Sequence, residues 1–258
     1  MNTSISSPAH TSGATPILSC RGLVKRFGGL VAVNKVDIDI PAGEVIALVG
    51  DNGAGKSTLV QMLSGVYRAD AGTMAVRGKP TVLSTPEDAR QAGIETIYQD
   101  LALCDNLSAA QNIFLGRELE TRRFGFVPGV DRATMRSAAK ATLDDLHIRI
   151  PDLDAPVRQL SGGQRQAVAI ARAVYWQAKL MIMDEPTAAL GVPEQRKVMA
   201  LIRLLKERQV PVVLISHNMI DVFEVADRIF VMRRGMKVGD FRVNATTPSQ
   251  VVDLMIGG

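Results

Sequence analysis

Residues Gly50-Asp51-Asn52-Gly53-Ala54-Gly55-Lys56-Ser57 limit the possible folds of this chain more than any other segment. They fit the pattern G-x-x-x-x-G-K-[ST], Thr58 follows, and they join an apolar run, EVIALV, to a helical pattern, KSTLVQMLSG. At such a junction glycines let backbone N–H groups turn inward around phosphate oxygens, and the helix adds its positive dipole end. Lys56 is expected to contact the β- and γ-phosphates of a nucleotide, and Ser57 to ligate Mg²⁺. An ordinary Gly-rich turn would require neither the buried strand before it nor the helix after it.

Two further segments carry chemistry. Leu180-Met181-Ile182-Met183-Asp184-Glu185 reads as a buried strand ending in two carboxylates. A hard cation takes oxygen ligands at the C-terminal end of such a strand, where Asp184 sits. Glu185, one residue on, points differently and is placed to polarise a water attacking the γ-phosphate. Taken alone, an Asp-Glu strand end is a weak signal, and the phosphate loop strengthens it. Leu160-Ser161-Gly162-Gly163-Gln164 precedes a helical pattern. It reads either as a Ser N-cap with a Gly-rich entry or as a second anion site. A chain with one phosphate loop uses a second anion site only if the nucleotide is shared between two copies.

From Ile17 to Ile40 the chain reads as short strands around a Gly28-Gly29 turn. Further strands are expected at Gly72–Gly78, IETIYQ, KLMIMDE, PVVLIS and RIFVMRR. Helices are expected at Pro86–Ala92, QRQAVAIARAVYW, PEQRKVMALIRLLKERQ and MIDVFEVA. This alternation implies a mostly parallel sheet covered on both faces. Asp100 to about Leu160 changes character, with helical patterns SAAQNIFLGRELE and DRATMRSAAKATLDDLHI split by a loop at 124–129. It reads as a helical subdomain inserted in the α/β core, about residues 100–170. Residues 1–16, rich in Ser, Thr, Pro and Gly, read as a flexible tail, so 17–258 is the folded unit.

Of the 258 residues 47% are hydrophobic, enough for a buried core and too many for a disordered chain. No apolar run approaches the roughly 18–20 residues that cross a bilayer. The N-terminus has neither a basic start nor an apolar segment of the secretory kind. Two cysteines, Cys20 and Cys104, support neither a disulfide scaffold nor a cysteine-rich zinc site and read as buried small hydrophobes or idle thiols. A net charge of +4 distinguishes no partner class. His10 in the tail, His147 in a helical pattern, Arg122-Arg123 and Arg233-Arg234 read as surface groups, and Trp176 as a local packing residue.

In order along the chain, Gly50–Thr58, LSGGQ at Leu160–Gln164 and the Asp184-Glu185 strand resemble the nucleotide-binding subunit of an ATP-binding cassette (ABC) transporter. Gln99 in IYQD, His217 in ISHN and Phe27 in KRFGG fit further elements of that family. The resemblance implies an α/β, P-loop NTPase (RecA-like) core of mostly parallel strands, an N-terminal antiparallel β subdomain and an inserted helical subdomain. It implies that Phe27 stacks on adenine, that Gly53, Gly55 and Lys56 hold phosphates, and that Ser57, Gln99 and water-linked Asp184 complete a Mg²⁺ shell. Glu185 would be the general base, and His217 would grip the γ-phosphate and the attacking water. Ser161, Gly162, Gly163 and Gln164 would close over ATP bound to an opposite subunit, so the chain would act as a homodimer or with a paired cassette. Gln99 would also connect the Mg²⁺ site to a groove for a membrane permease.

One departure stands out: Ala188-Ala189-Leu190-Gly191 replaces the family's usual Ser-Ala-Leu-Asp, so Gly191 stands where an aspartate helps link the two half-sites. That segment, FGGLVAVNKVDIDI and IYQDLALCDNLSAAQNIFLGRE are similar to the ATPases of bacterial monosaccharide importers. The resemblance places the chain in the cytoplasm on the inner face of the plasma membrane, and a periplasmic solute-binding protein would act through the permease. Importers of other small solutes, such as branched-chain amino acids, are the alternative. Nucleic acid is not an expected partner. ABC ATPases that clamp DNA need long coiled coils or zinc-binding cysteines between the motifs, and the interval from Lys56 to Ser161 is too short for them.

Overall fold

The computed structural model describes residues 15–123 and 127–257. Most of the expected tail, His10 within it and residues 124–126 of the expected loop lie outside the described residues, as do the side chains of Arg122 and Arg123. The chain begins with β1 (Leu18–Phe27), β2 (Leu30–Ile40), β3 (Val45–Val49) and α1 (Lys56–Leu63). It continues with β4 (Ala71–Val76), β5 (Lys79–Thr81), α2 (Pro86–Gln91), β6 (Ile94–Ile97) and α3 (Ala109–Phe114). A hairpin of β7 (Glu120–Arg123) and β8 (Val127–Val130) leads to α4 (Arg132–Asp145) and α5 (Gly162–Tyr175). Then come β9 (Leu180–Asp184), α6 (Val192–Glu207), β10 (Val212–Ile215), α7 (Met219–Val225), β11 (Arg228–Arg233), β12 (Met236–Arg242) and α8 (Pro248–Ile256).

Two sheets organise these elements. One is antiparallel in the order β2-β1-β4-β5; the other runs β12-β11-β3-β10-β9-β6. In the second sheet β11, β3, β10, β9 and β6 are mutually parallel, and only β12 is antiparallel to its neighbour. The central strands β3 and β10 are apolar throughout, and β9 is apolar up to Asp184, because both of their faces are covered. Val45, Ala47, Val49, Met181 and Met183 face the core shared with α5 and α6, whereas Ile46, Leu48, Leu180 and Ile182 face the core shared with β1, β2 and α1.

Helices α3, α4 and α5 pack on one another beside this core. Phe114 is fully buried, edge-on to Tyr175 and Trp176 at centroid distances of 4.5 and 5.9 Å. The Trp176 indole donates to Ile113 O at 3.0 Å, which makes it the local packing residue expected. Asn112, also buried, accepts from Cys104 N at 2.8 Å and donates to the carbonyls of Cys104, Leu107 and Ser108. It thereby anchors the loop that descends from Gln99. Cys20 is buried, and desolvation first, then Asp39, pushes its thiol up to about 12, so it behaves as a small hydrophobe.

The structure departs from the sequence pattern in four places. The helix expected through GRELE stops at Phe114, where Leu115 leaves helical geometry (φ −56°, ψ 121°) and Gly116 turns the chain. The residues beyond pair as β7 and β8, with Arg122 opposite Pro128, so part of the expected loop is strand. Proline is tolerated there because a two-stranded ribbon is all edge. His147 is not helical: it lies in the left-handed region (φ 57°) just past α4, although it is exposed as expected. The last two elements, β12 and α8, have no counterpart in the sequence reading. Thr247 caps α8 through a capping box with Gln250, and Arg233 donates to Leu254 O at 3.1 Å, so Arg233 ties the helix down instead of forming a solvated face.

The two sheets are joined by Arg228, which is only 4% exposed. Its guanidinium binds both carboxylate oxygens of Asp240 on β12, at 2.5 and 2.6 Å, and donates to Asp39 O on β2 at 3.0 Å. Breaking such a pair leaves a buried charge, so Asp240→Ala should cost about 3–5 kcal/mol in urea unfolding. The double replacement Arg228→Met/Asp240→Ala should cost clearly less than Asp240→Ala alone.

Candidate nucleotide site

The parallel register sets the site. Leu48 aligns with Ile215, Ile215 with Asp184, and Ile97 with Met183. The C-terminal ends of β3, β10, β9 and β6 therefore reach one edge of the sheet, and Gly50, His217, Glu185 and Gln99 follow them there. Ligands of open parallel sheets bind at this edge.

After β3 the chain wraps tightly. A Cβ at Gly50 would lie 2.3 Å from Met232 O, and one at Gly55 (φ 98°) 2.4 Å from Ala32 O, so both positions need glycine. Gly55 is the N-cap of α1 and offers no side-chain cap, which leaves the first-turn N–H groups free for an anion. The Lys56 ammonium donates to Gly50 O at 2.7 Å and Asp51 O at 3.1 Å, so it curls over the loop. Burial lowers its pKa, against the pull of Glu185, Asp184 and Asp51. Residues Asn52 to Thr58, with Leu30–Ala32 and the Arg234-Gly235 turn, line a cleft of about 430 Å³ over this loop. Arg234 is exposed, as expected of a surface group, and also lines this cleft. The signal was available, since Arg234-Gly235 is a strand-end turn, but charge alone did not distinguish a cleft wall from open surface.

Glu185 leaves β9 with φ 49°, an uncommon conformation for a non-glycine residue that redirects its side chain away from that of Asp184. Its N–H donates to Ile215 O at 3.0 Å. Its carboxylate meets His217 Nδ1 at 2.8 Å, and the imidazole is otherwise largely exposed. The strap after β10 is held because Asn218 N donates to Ser216 Oγ and Asn218 caps α7. The strap after β9 is held by a buried Thr187 hydroxyl that donates to Asp221 at 2.7 Å. None of Ser216, Thr187 or Asp221 was singled out from sequence, because their role is to fix neighbouring residues. Burial first, then Glu185, raises the Asp184 pKa, with Lys56 opposing. Gln99 and Glu185 share the wall of a smaller cleft of about 200 Å³ with Gly162.

The remaining expected residues do not join the phosphate loop. Ser161 caps α5: Gln164 N donates to its hydroxyl at 3.3 Å, and Ser161 N donates to the Gln164 side chain at 2.9 Å. Within one chain the capping reading therefore holds. Ser161, Gly163 and Gln164 line a separate groove of about 640 Å³ against α6. Phe27 ends β1, is 41% exposed, and stands edge-on to Tyr67 at 5.1 Å, outside the lining of the phosphate-loop cleft.

A hydroxyl, an amide oxygen and carboxylates are available for a divalent cation from Ser57, Gln99, Asp184 and Glu185. No group of three or more His, Cys, Asp or Glu that could hold a metal occurs among the described residues. That donor set fits Mg²⁺, which keeps waters and substrate oxygens in its shell and needs no protein cage.

Comparison with known proteins identifies the class. Residues 33–188 match the family described as ABC transporter. The chain belongs to that family, as its nucleotide-hydrolysing component. It is 47% identical over 239 residues to the xylose/arabinose import ATP-binding protein of Sulfolobus acidocaldarius, covering 93% of each chain. It is 48% identical over 247 residues to the fructose import ATP-binding protein of Rhizobium meliloti, covering 94% of each. Against a ribose import ATP-binding protein of Rubrobacter xylanophilus it is 43% identical over 96% of its own length but spans only 47% of that protein. Among solved structures, the ADP conformation of an ATP-binding cassette of an ABC transporter superposes with TM-score 0.78 at 26% identity, covering 94% of this chain and 99% of that one.

A raised carboxylate pKa means that the folded chain binds the proton more tightly than the unfolded one. Stability therefore falls as pH rises from the unfolded-state pKa of Asp184 through its raised folded-state pKa, and the ionised form carries the full penalty above that. In the absence of nucleotide and metal at neutral pH, Asp184→Asn should raise the melting temperature by about 2 °C in calorimetry while abolishing ATP hydrolysis.

Proposed function

We propose that this chain hydrolyses ATP to drive import of a monosaccharide through a membrane permease, on whose inner, cytoplasmic face it docks. The solute class rests on the near full-length identity to single-cassette proteins described as xylose/arabinose and fructose import ATP-binding proteins. Among the described residues no helix is long and apolar enough to cross a membrane, so passage of the solute is assigned to the permease, with a periplasmic solute-binding protein delivering it. Residues 17–258 are taken as one nucleotide-binding domain with the helical subdomain at about 100–170.

The close pair of Glu185 and His217, with the carboxylate 2.8 Å from Nδ1, carries the catalytic reading. Glu185 accepts the proton of the attacking water, and its backbone turn holds the carboxylate clear of β9. His217 spends Nδ1 on Glu185, which leaves Nε2 to meet the γ-phosphate. Lys56 releases the Gly50 and Asp51 carbonyls and takes the β- and γ-phosphates, while the amides of Gly53 and Gly55 complete the cradle. Phe27 stacks on the adenine. Ser57, Gln99 and, through water, Asp184 would hold Mg²⁺, which when bound neutralises charge on the β- and γ-oxygens.

Ser161 to Gln164 stand apart from the phosphate-loop cleft, and they are assigned to ATP on a second copy of the chain. The nucleotide is then interface material: ATP closes the dimer, and hydrolysis reopens it. Gln99 links the Mg²⁺ site to the loop anchored by Asn112 and so to the permease-facing helices.

Glu185→Gln should keep ATP affinity within about twofold and lower kcat at least 10²-fold, as measured by nucleotide titration and phosphate release. For the solute class, the complex purified from membranes should show ATPase stimulation by its binding protein loaded with a pentose or hexose. Stimulation by a branched-chain amino acid, or by DNA, would contradict the sugar assignment.

A further inference from the structure

Glu194 lies in the first turn of α6 and is the acidic residue of that turn. Its Cβ and Cγ occupy the space beside Gly163: a Cβ built at Gly163 would lie 2.9 and 2.8 Å from them. Its carboxylate oxygen Oε2 bends back toward Gly191, 3.1 Å from where a Cβ at 191 would stand. Gly191 is the N-cap of α6 and supplies no side-chain cap. The glycine therefore leaves room that the Glu194 carboxyl group uses, and any side chain at 191 would have to displace it. The stem of the same side chain lies beside the first turn of α5, which carries no acidic residue of its own. Ser161, Gly163, Gln164 and Glu194 line one groove.

One carboxylate thus bends back over the N-terminus of α6 from a stem that packs against the first turn of α5. A negative charge there satisfies part of the field that would otherwise attract an anion to Ser161–Gly163. On the reading that this N-terminus takes a phosphate of ATP held by a second copy, we propose that Glu194 is a positioning residue that weakens that grip. Its methylene groups support the α5 N-terminus from behind, and its charge opposes the incoming phosphate. The sandwich closes less tightly and reopens faster than the bare helix end would allow.

The test measures ATP-driven dimerisation of the full chain by sedimentation, in a Glu185→Gln background that holds ATP unhydrolysed. Glu194→Gln and Glu194→Met both keep the buried stem and remove the charge. Each should tighten the dimer about two- to fivefold at low salt, the range of a single charge at a helix end, and high salt should shrink the difference. Glu194 variants that leave dimer affinity unchanged or weaken it would overturn the proposal, as would tightening by Gln without tightening by Met. A Glu185→Gln chain that stays monomeric in saturating ATP would instead overturn the shared-nucleotide reading on which the proposal rests.

Discussion

Everything chemical in this protein depends on the parallel alignment of β3, β10, β9 and β6. Because these strands run the same way and in register, four loops that are far apart in sequence leave the sheet at one edge. The phosphate loop, the Glu185 turn, His217 and Gln99 are brought together by backbone hydrogen bonds, not by contacts among themselves. The cores on both faces of the sheet fix that register, since a slip of one residue would exchange the two apolar sets. Arg228 adds a cross-link between the sheets that the apolar cores do not supply.

The site is divided between two surfaces. The cleft over Gly50–Thr58 contains the phosphate loop and the Arg234 turn, whereas Ser161, Gly163 and Gln164 open onto a groove against α6. Within one chain the Ser161 hydroxyl is engaged by its own helix. On the proposed function, a single copy holds a complete set of parts but not a complete site, and a second copy would supply the missing half. Glu194 packs against Gly163 in the half assigned to the partner's nucleotide.

Motifs whose function requires particular residue types at short spacing were legible in the sequence. Gly50 to Ser57 states its chemistry locally, Asp184-Glu185 and Leu160 to Gln164 gain theirs in combination with it, and β1 to β4, β6 and α5 to α7 followed from the sequence pattern, whereas the short β5 did not. Elements determined by tertiary context were not legible. The hairpin of β7 and β8 follows a segment that looks helical by composition through GRELE and overlaps the expected loop at 124–129, and the helix breaks instead at Leu115-Gly116. Strand β12 alternates weakly and gains its place by pairing with β11. Arg228 and Arg234 look alike as sequence, yet one is buried on Asp240 and the other borders the nucleotide cleft. The Glu185–His217 contact joins residues that follow different strands, so the pattern named both residues but not their contact.

The central claim is that two copies share each nucleotide, and mixing two inactive chains tests it most directly. Lys56→Ala disables the phosphate loop but leaves Ser161–Gln164 intact; Ser161→Arg does the reverse. Neither chain alone should hydrolyse ATP. In an equal mixture, random pairing restores one composite site in half of the dimers, so ATPase activity should return to about a quarter of the wild-type rate. A mixture that stays as inactive as its components would contradict the account, because it would place the whole site within one chain.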